Sequence, residues 1–157
     1  MVQRPRGSLM RLDLDACCLN RPFDDQQQLR IRLESEAVRT ILLQCEEGVH
    51  DWIASRVLRW ELEQTPDPDR RQLTLDLLMW ANEEGEPTDR DRRRALELEQ
   101  QHIPAFDAAH LATAERLNCD LLLTTDDTLV KRASRTIVPA LTIRVVNPLA
   151  WLQENAP

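Results

Sequence analysis

Carboxylates are the richest chemistry this chain offers, and the stretch IPAFDAAHLATAERLNCDLLLTTDD (Ile103–Asp127) concentrates them. Asp107 opens an alanine-rich helix predicted to run to about Leu117, with Asn118 as a left-handed stop. The short apolar run Leu121–Leu123 then reads as a buried strand of a parallel sheet. It ends in Thr124, Thr125, Asp126 and Asp127. One acid thus sits at a helix N-terminus and two at the end of a buried strand, the edge where open α/β sheets bind ligands. Taken singly, Asp107 and Asp126 also read as plain helix caps.

Two other segments add acid at comparable places. A first strand and turn over Leu9–Leu19 carries Asp13 and Asp15, with Asp15 at the strand end. The helix after a second strand, Trp52–Ala54, carries Glu61 and Glu63. Bare anions sharing a pocket raise each other's pKa. A divalent cation resolves that conflict, and magnesium and manganese prefer oxygen ligands. Metals held this way activate water for attack on a phosphodiester and stabilise the leaving oxygen. No serine elbow, P-loop or G-x-G-x-x-G competes with this reading.

The elements that must carry these acids alternate. Helical periodicity runs from about Asp25 to Glu47, closed by Gly48. Ser55 caps a helix over Arg56–Thr65, Asp67-Pro68 starts one reaching about Asn82, and Gly85–Pro87 is a connector. Thr88 caps a charged helix to about Gln101, Thr128–Arg135 is a short helix, Leu141–Val146 a last strand, and Asn147-Pro148 caps a closing helix. Strands alternating with helices place the chain in the α/β class with a central parallel sheet flanked by helices. Its 157 residues suit a single domain over 9–154 behind an N-terminal tail at 1–8.

A net charge of -7, from 27 acidic and 20 basic residues, argues against a general nucleic-acid coat or basic membrane-surface protein. No apolar run is long enough to span a bilayer, and no h-region follows the early arginines, so a cytoplasmic, non-membrane protein is expected. Cys17, Cys18, Cys45 and Cys119 lack zinc-site spacing, and adjacent Cys17 and Cys18 read as buried thiols of a reduced compartment.

In order along the chain, LDACCLNRPFDD, SRVLRWELEQTPDP, IPAFDAAHLATAERLNCDLLLTTDD and VVNPLAWL resemble PIN-domain proteins, from about Leu12 to Leu152. The resemblance implies a three-layer PIN-like α/β sandwich and a Mg2+- or Mn2+-dependent ribonuclease, including toxins of the VapC type. It implies four metal-binding acids, with Asp15, Glu61, Asp107 and Asp126 matching the first to fourth positions, and Thr124 matching the hydroxyl of T-x-D. Asn20, Arg21, Asp24 and Asp25 match a turn found in one branch of the family. Asp13 departs from the pattern, since it occupies a strand position that is usually apolar or aromatic. The expectation is an endoribonuclease that cleaves RNA phosphodiesters with metal-activated water. As a toxin it would meet an antitoxin protein and form a homodimer.

Two alternatives stand beside it. Asp13-Leu14-Asp15 also resembles the D-x-D of haloacid-dehalogenase-like phosphatases, with Asp13 as nucleophile and Asp126-Asp127 as the metal-binding pair. Those enzymes place a lysine before the pair, whereas Lys131 follows it. The other alternative is a non-catalytic PIN-fold interaction protein. His110 lies one turn after Asp107, within reach of the site, and reads first as a packed or capping histidine. Arg90, Arg92, Arg93 and Arg94 read as a solvated helix face, and Trp52 and Trp60 as core.

Overall fold

The computed structural model describes residues 9–136 and 140–155; the tail expected over residues 1–8 lies outside them. Strand β1 (Arg11–Leu14) is the centre of a parallel sheet of order β3-β2-β1-β4-β5. The other strands are β2 (Asp51–Ser55), β3 (Glu83–Gly85), β4 (Leu121–Leu123) and β5 (Arg144–Val146). Its register pairs Leu12 with Trp52 on one side and Asp13 with Leu122 on the other. The chain builds outward from β1 through β2 to β3, then crosses back to β4 and β5. The order therefore reverses between β1 and β4, and the crevice at their carboxyl ends is the topological switch point of the sheet.

Alternate side chains along the strands point to opposite faces, and each face has its own core. Leu12, Leu14, Trp52, Ala54, Leu121 and Leu123 pack with Val38 and Ile41 of α2 (Leu29–Glu46), Leu58 and Leu62 of α3 (Arg56–Glu63) and Trp151 of α8 (Pro148–Glu154). The short helix α1 (Ala16–Asn20) adds Cys18 and Leu19 to this layer, and α4 (Pro68–Leu77) covers part of it through Leu75 and Leu77. On the other face, Ile53 and Leu122 pack with α5 (Asp89–Glu99), α6 (Ala105–Arg116) and α7 (Asp127–Ser134). The expected three-layer α/β sandwich with a central parallel sheet is what forms.

Several boundaries differ from the sequence expectation, each for a local reason. The first strand stops at Leu14, and residues up to Asn20 form α1, because the Asp15 side chain accepts the Ala16 N–H and caps a new helix. Helix α6 begins at Ala105 behind Pro104, so Asp107 lies inside the first turn and caps nothing. Proline there presets the helical entry. Strand β3 replaces part of the expected connector. Its first two residues are exposed glutamates, so it carries no apolar signal, and only pairing with β2 makes it a strand. Gly85 closes β3 beneath the end of α6: a Cβ there would lie 2.4 Å from Leu117 Cδ1.

Other local signals hold. Asn118 adopts φ 57 and Gly48 φ 78, ending α6 and α2 in the left-handed region. Ser55, Asp67, Thr88, Asp126 and Asn147 all cap the helices that follow them. Among the described residues, no helix is long and apolar enough to cross a membrane.

Candidate metal centre at the carboxyl edge

A helix that feeds a parallel strand must start at the carboxyl edge of the sheet. That rule brings the first turn of α6 beside the ends of β1 and β4, although Asp107 and Asp15 are far apart in sequence. Asp15, 6 % exposed, leaves β1 at that edge. Its Oδ1 accepts the Ala16 N–H at 2.8 Å, and its Oδ2 accepts the Thr124 hydroxyl at 2.9 Å. The Cys17 thiol also donates to Oδ2, at 3.5 Å. Thr124 is fully buried just past β4, and its Oγ1 accepts the Asp126 N–H at 3.1 Å. One hydroxyl therefore ties the first acid to the loop of the fourth.

Asp126 is exposed and caps α7, its Oδ1 accepting the N–H groups of Thr128 and Leu129 at 2.9 and 3.3 Å. Its helix-cap and site readings are thus compatible: Oδ1 serves the helix, and among the described residues Oδ2 has no hydrogen bond. Glu61 stands on α3, half-exposed, and its Oε2 lies 3.2 Å from His110 Nε2. His110 is 1 % exposed. Ligand atoms of Asp15, Glu61 and His110 all lie within 4.8 Å of one another. Asp107 and Asp126 are not part of that closest group. Asp107 is nevertheless within electrostatic range of all three and of Asp126.

The charges explain what the group is short of. Burial, then Asp15, Asp126 and Glu61, push the Asp107 carboxyl up to about 6, against the opposing pull of His110. Burial by itself would push His110 down. The Glu61 hydrogen bond and the Asp15 and Asp13 carboxylates outweigh it and raise His110 to about 9. A histidine protonated at neutral pH donates from both nitrogens and cannot ligate a cation. With no cation bound, His110 is the counter-charge beside these acids and pairs with Glu61, while its ring nitrogen is also one of the three converging ligand atoms. The sequence points first to a packed or capping histidine within reach of the site; its place in the D-A-x-H-L-A stretch, one turn after Asp107, is the signal that it faces the acids.

The other donors at this edge are carboxylate oxygens, the set that suits a hard divalent cation such as Mg2+ or Mn2+. Two buried atoms at this centre, Asp13 Oδ1 and His110 Nδ1, have no hydrogen-bond partner. The residues present fit a bound divalent cation, because carboxylates outnumber the one nearby cationic group, His110.

Asp13 lies one pleat below Asp15, 1 % exposed and facing α6. Burial, the largest influence, and Asp15 raise it to about 7, while His110 pulls it down. Neither Arg11 nor Arg144 partners it; they pair with Glu83 and Glu154. Asp13 is sealed from solvent one pleat below the crevice, which argues against a phosphatase that uses it as nucleophile. Trp52 is core, but Trp60 is 53 % exposed and stacks on Phe106. The arginine face of α5 is partly tied down: Arg94 binds Glu97 and Glu115, and Arg92 binds Asp89.

Comparison with known proteins places this geometry. The structure resembles that of VapBC2 from Rickettsia felis bound to a DNA fragment from their promoter, with TM-score 0.58 and 13 % identity over 88 % of this chain and 98 % of that chain. No curated protein sequence matches. The family model for the PIN domain matches residues 14–135, which begin just before Asp15 and include Glu61, Asp107, Thr124 and Asp126. PIN domains are generally nucleases that use a divalent metal, in keeping with an acid-rich crevice at a sheet's switch point, and this chain belongs to the PIN domain family.

Proposed function

We propose that the protein is a Mg2+- or Mn2+-dependent endoribonuclease and the toxin of a toxin–antitoxin pair. The observation that carries this reading is the excess of carboxylate over cation at the β1–β4 crevice, where His110 is the one group pulling the Asp107 pKa down. Asp15, Glu61, Asp107 and Asp126 would hold the cation. When bound, a divalent ion supplies Lewis acidity toward a phosphate oxygen and makes water a competent nucleophile near neutral pH.

The chain's own residues prepare that chemistry. Thr124 fixes Asp15 from one side and the Asp126 backbone from the other. His110 holds the Glu61 carboxylate at 3.2 Å, beside Asp15. The low-dielectric floor under Asp13 and His110 makes each of these interactions stronger than it would be in water. The resemblance to a VapBC2 structure supports an antitoxin as partner; that a basic residue of it enters the acidic pocket, and that the working form is a cytoplasmic homodimer, are parts of the same proposal.

The test is cleavage of single-stranded and structured RNAs by the purified protein in Mn2+, Mg2+ or chelator. Cleavage in either metal and none in chelator is expected, together with a higher melting temperature in Mn2+ through binding to the native state. Cleavage undiminished by chelator, with contaminating nuclease excluded, would overturn the metal dependence. An intact fold that binds Mn2+ but cleaves no RNA would leave a non-catalytic PIN-fold interaction protein.

A further inference from the structure

We propose that Trp60 and Phe106 form a stacking shelf for one nucleobase of a single-stranded RNA, next to the phosphate held at the acids. The proposal rests on the ribonuclease reading above. The two rings lie 5.2 Å apart, centroid to centroid, with planes 24° apart. Trp60 is 53 % exposed, an unusual cost for the largest apolar side chain unless the face has a use. The pair lines an open hollow of about 330 Å³ with Arg56, Val57 and Pro87, a volume within the range of small-ligand clefts.

Its place in the chain says what covers it. Trp60 directly precedes Glu61, and Phe106 directly precedes Asp107. The shelf is therefore joined at two points to the candidate metal centre. Phe106 also tilts against His110, 5.9 Å between centroids, so the three rings run from the hollow to the buried histidine. An occupant of the shelf must be contiguous with whatever the acids act upon. For a phosphodiester, the adjoining group is a nucleoside.

Charge agrees. A protein of net charge -7 repels a polyanion, so it needs local attraction where the strand lies. Arg56 is exposed one helical turn before Trp60 on the same face of α3. Its neighbour Arg59 is locked to Glu84 by two short bonds of 2.7 and 2.8 Å, whereas no ion pair among the described residues holds Arg56. Arg56 feels Glu84 only at longer range, and an apolar face with an exposed guanidinium outside any such ion pair at its edge matches a base with its own phosphate. Stacking of this kind tolerates any base, since every base has a π-face.

The experiment uses oligoribonucleotides carrying one abasic nucleotide, walked across the scissile bond. In the unsubstituted protein, one abasic position should raise KM roughly tenfold with kcat within about twofold, the scale of one lost base stack. Trp60→Ala should show the same loss on the intact oligonucleotide and no further loss on the abasic one, and Trp60→Phe should recover most of it. An abasic penalty that persists in Trp60→Ala would overturn the shelf. So would Trp60→Ala leaving KM unchanged while turning a dimer into a monomer by light scattering, which would make the patch a protein interface.

A second arm does not need cleavage. Trp80 is the other exposed tryptophan, at 60 %, so a Trp80→Phe protein isolates Trp60 emission from a second solvent-facing indole. With Ca2+, a hard oxygen-seeking cation, quenching by the intact but not the abasic oligonucleotide is expected. Quenching without any RNA cleavage would sink the ribonuclease reading and keep the shelf. Cleavage with neither quenching nor abasic dependence would do the reverse, and the absence of both would remove the two together.

Discussion

Glu34 and Asp13 are each 1 % exposed, yet they are held in opposite ways. Glu34, on α2, accepts from Arg21 at 3.2 Å and Arg30 at 3.3 Å through Oε1, and from Asn147 through Oε2. Arg30 continues to Asp127 in a bidentate pair of 2.8 and 2.9 Å, and Asn147 also caps α8. This acid ties the turn after α1, α2, α7 and α8 into one network, and its charge is fully answered from within the chain. On the opposite face of the sheet, among the described residues, Asp13 has an oxygen without a partner and His110 is the cation that pulls it down. The acids above it share that same histidine. The buried acid that serves structure is matched by arginine and amide; the cluster proposed to hold a cation is left short of one. The difference is a practical marker of function in a chain with 27 acids, most of which do neither.

The largest effect should come from removing one charge at the unanswered cluster. Asp15→Asn keeps a side chain able to cap α1, so the fold should survive. RNA cleavage should fall about a thousandfold, a loss of about 4 kcal/mol in transition-state stabilisation. The Mn2+-induced rise in melting temperature should shrink with it. A folded Asp15→Asn protein that cleaves normally would take Asp15 out of the site and break the comparison at its base.

Removing the answered acid should do the opposite. Glu34→Ala strips the partner from Arg21, whose side chain is 20 % exposed, and from Asn147. Stability should drop by about 3 kcal/mol, the usual scale for breaking a buried pair. Cleavage per folded molecule should be unchanged. Urea unfolding at neutral pH is the measurement, and a loss below about 1 kcal/mol would mean that water serves the two arginines as well as Glu34 does.

The smallest effect separates Asp13 by its pH response. In the folded protein Asp13 keeps its proton up to about pH 7, against an ordinary value of 3.8. The folded state thus binds more protons than the unfolded state between those values, and stability declines as pH rises through that window. His110, raised to about 9 from 6.5, adds a further decline at higher pH, since its contribution is complete below 6.5 and lost through 9. Asp13→Asn should shrink the first decline to the part due to Asp107, itself raised to about 6, and keep the second, gaining on the unsubstituted protein as pH approaches 7. Urea unfolding of metal-free protein at about pH 5 and about pH 7 reads the slope. Equal slopes in the two proteins would place the Asp13 pKa near the ordinary value and make it as well answered as Glu34.

Short-range signals were legible from the residues alone. Asn118 ends α6, Asp126 and Asn147 cap the helices after them, and Leu121–Leu123 is a strand, because each depends on chemistry within a few residues. The α/β class and the acids at strand ends follow from the same local pattern. What needed the tertiary structure was every feature set by distant partners. Glu61 meets His110 across 49 residues, and Thr124 meets Asp15 across 109. Strand β3 exists because β2 offers it an edge, not because EEG favours a strand. Trp60 is exposed because Phe106, on another helix, gives it a surface to stack on rather than a core to enter. Periodicity and capping report on one element at a time; whether a buried charge is answered or left waiting is decided only when separate elements are packed against each other.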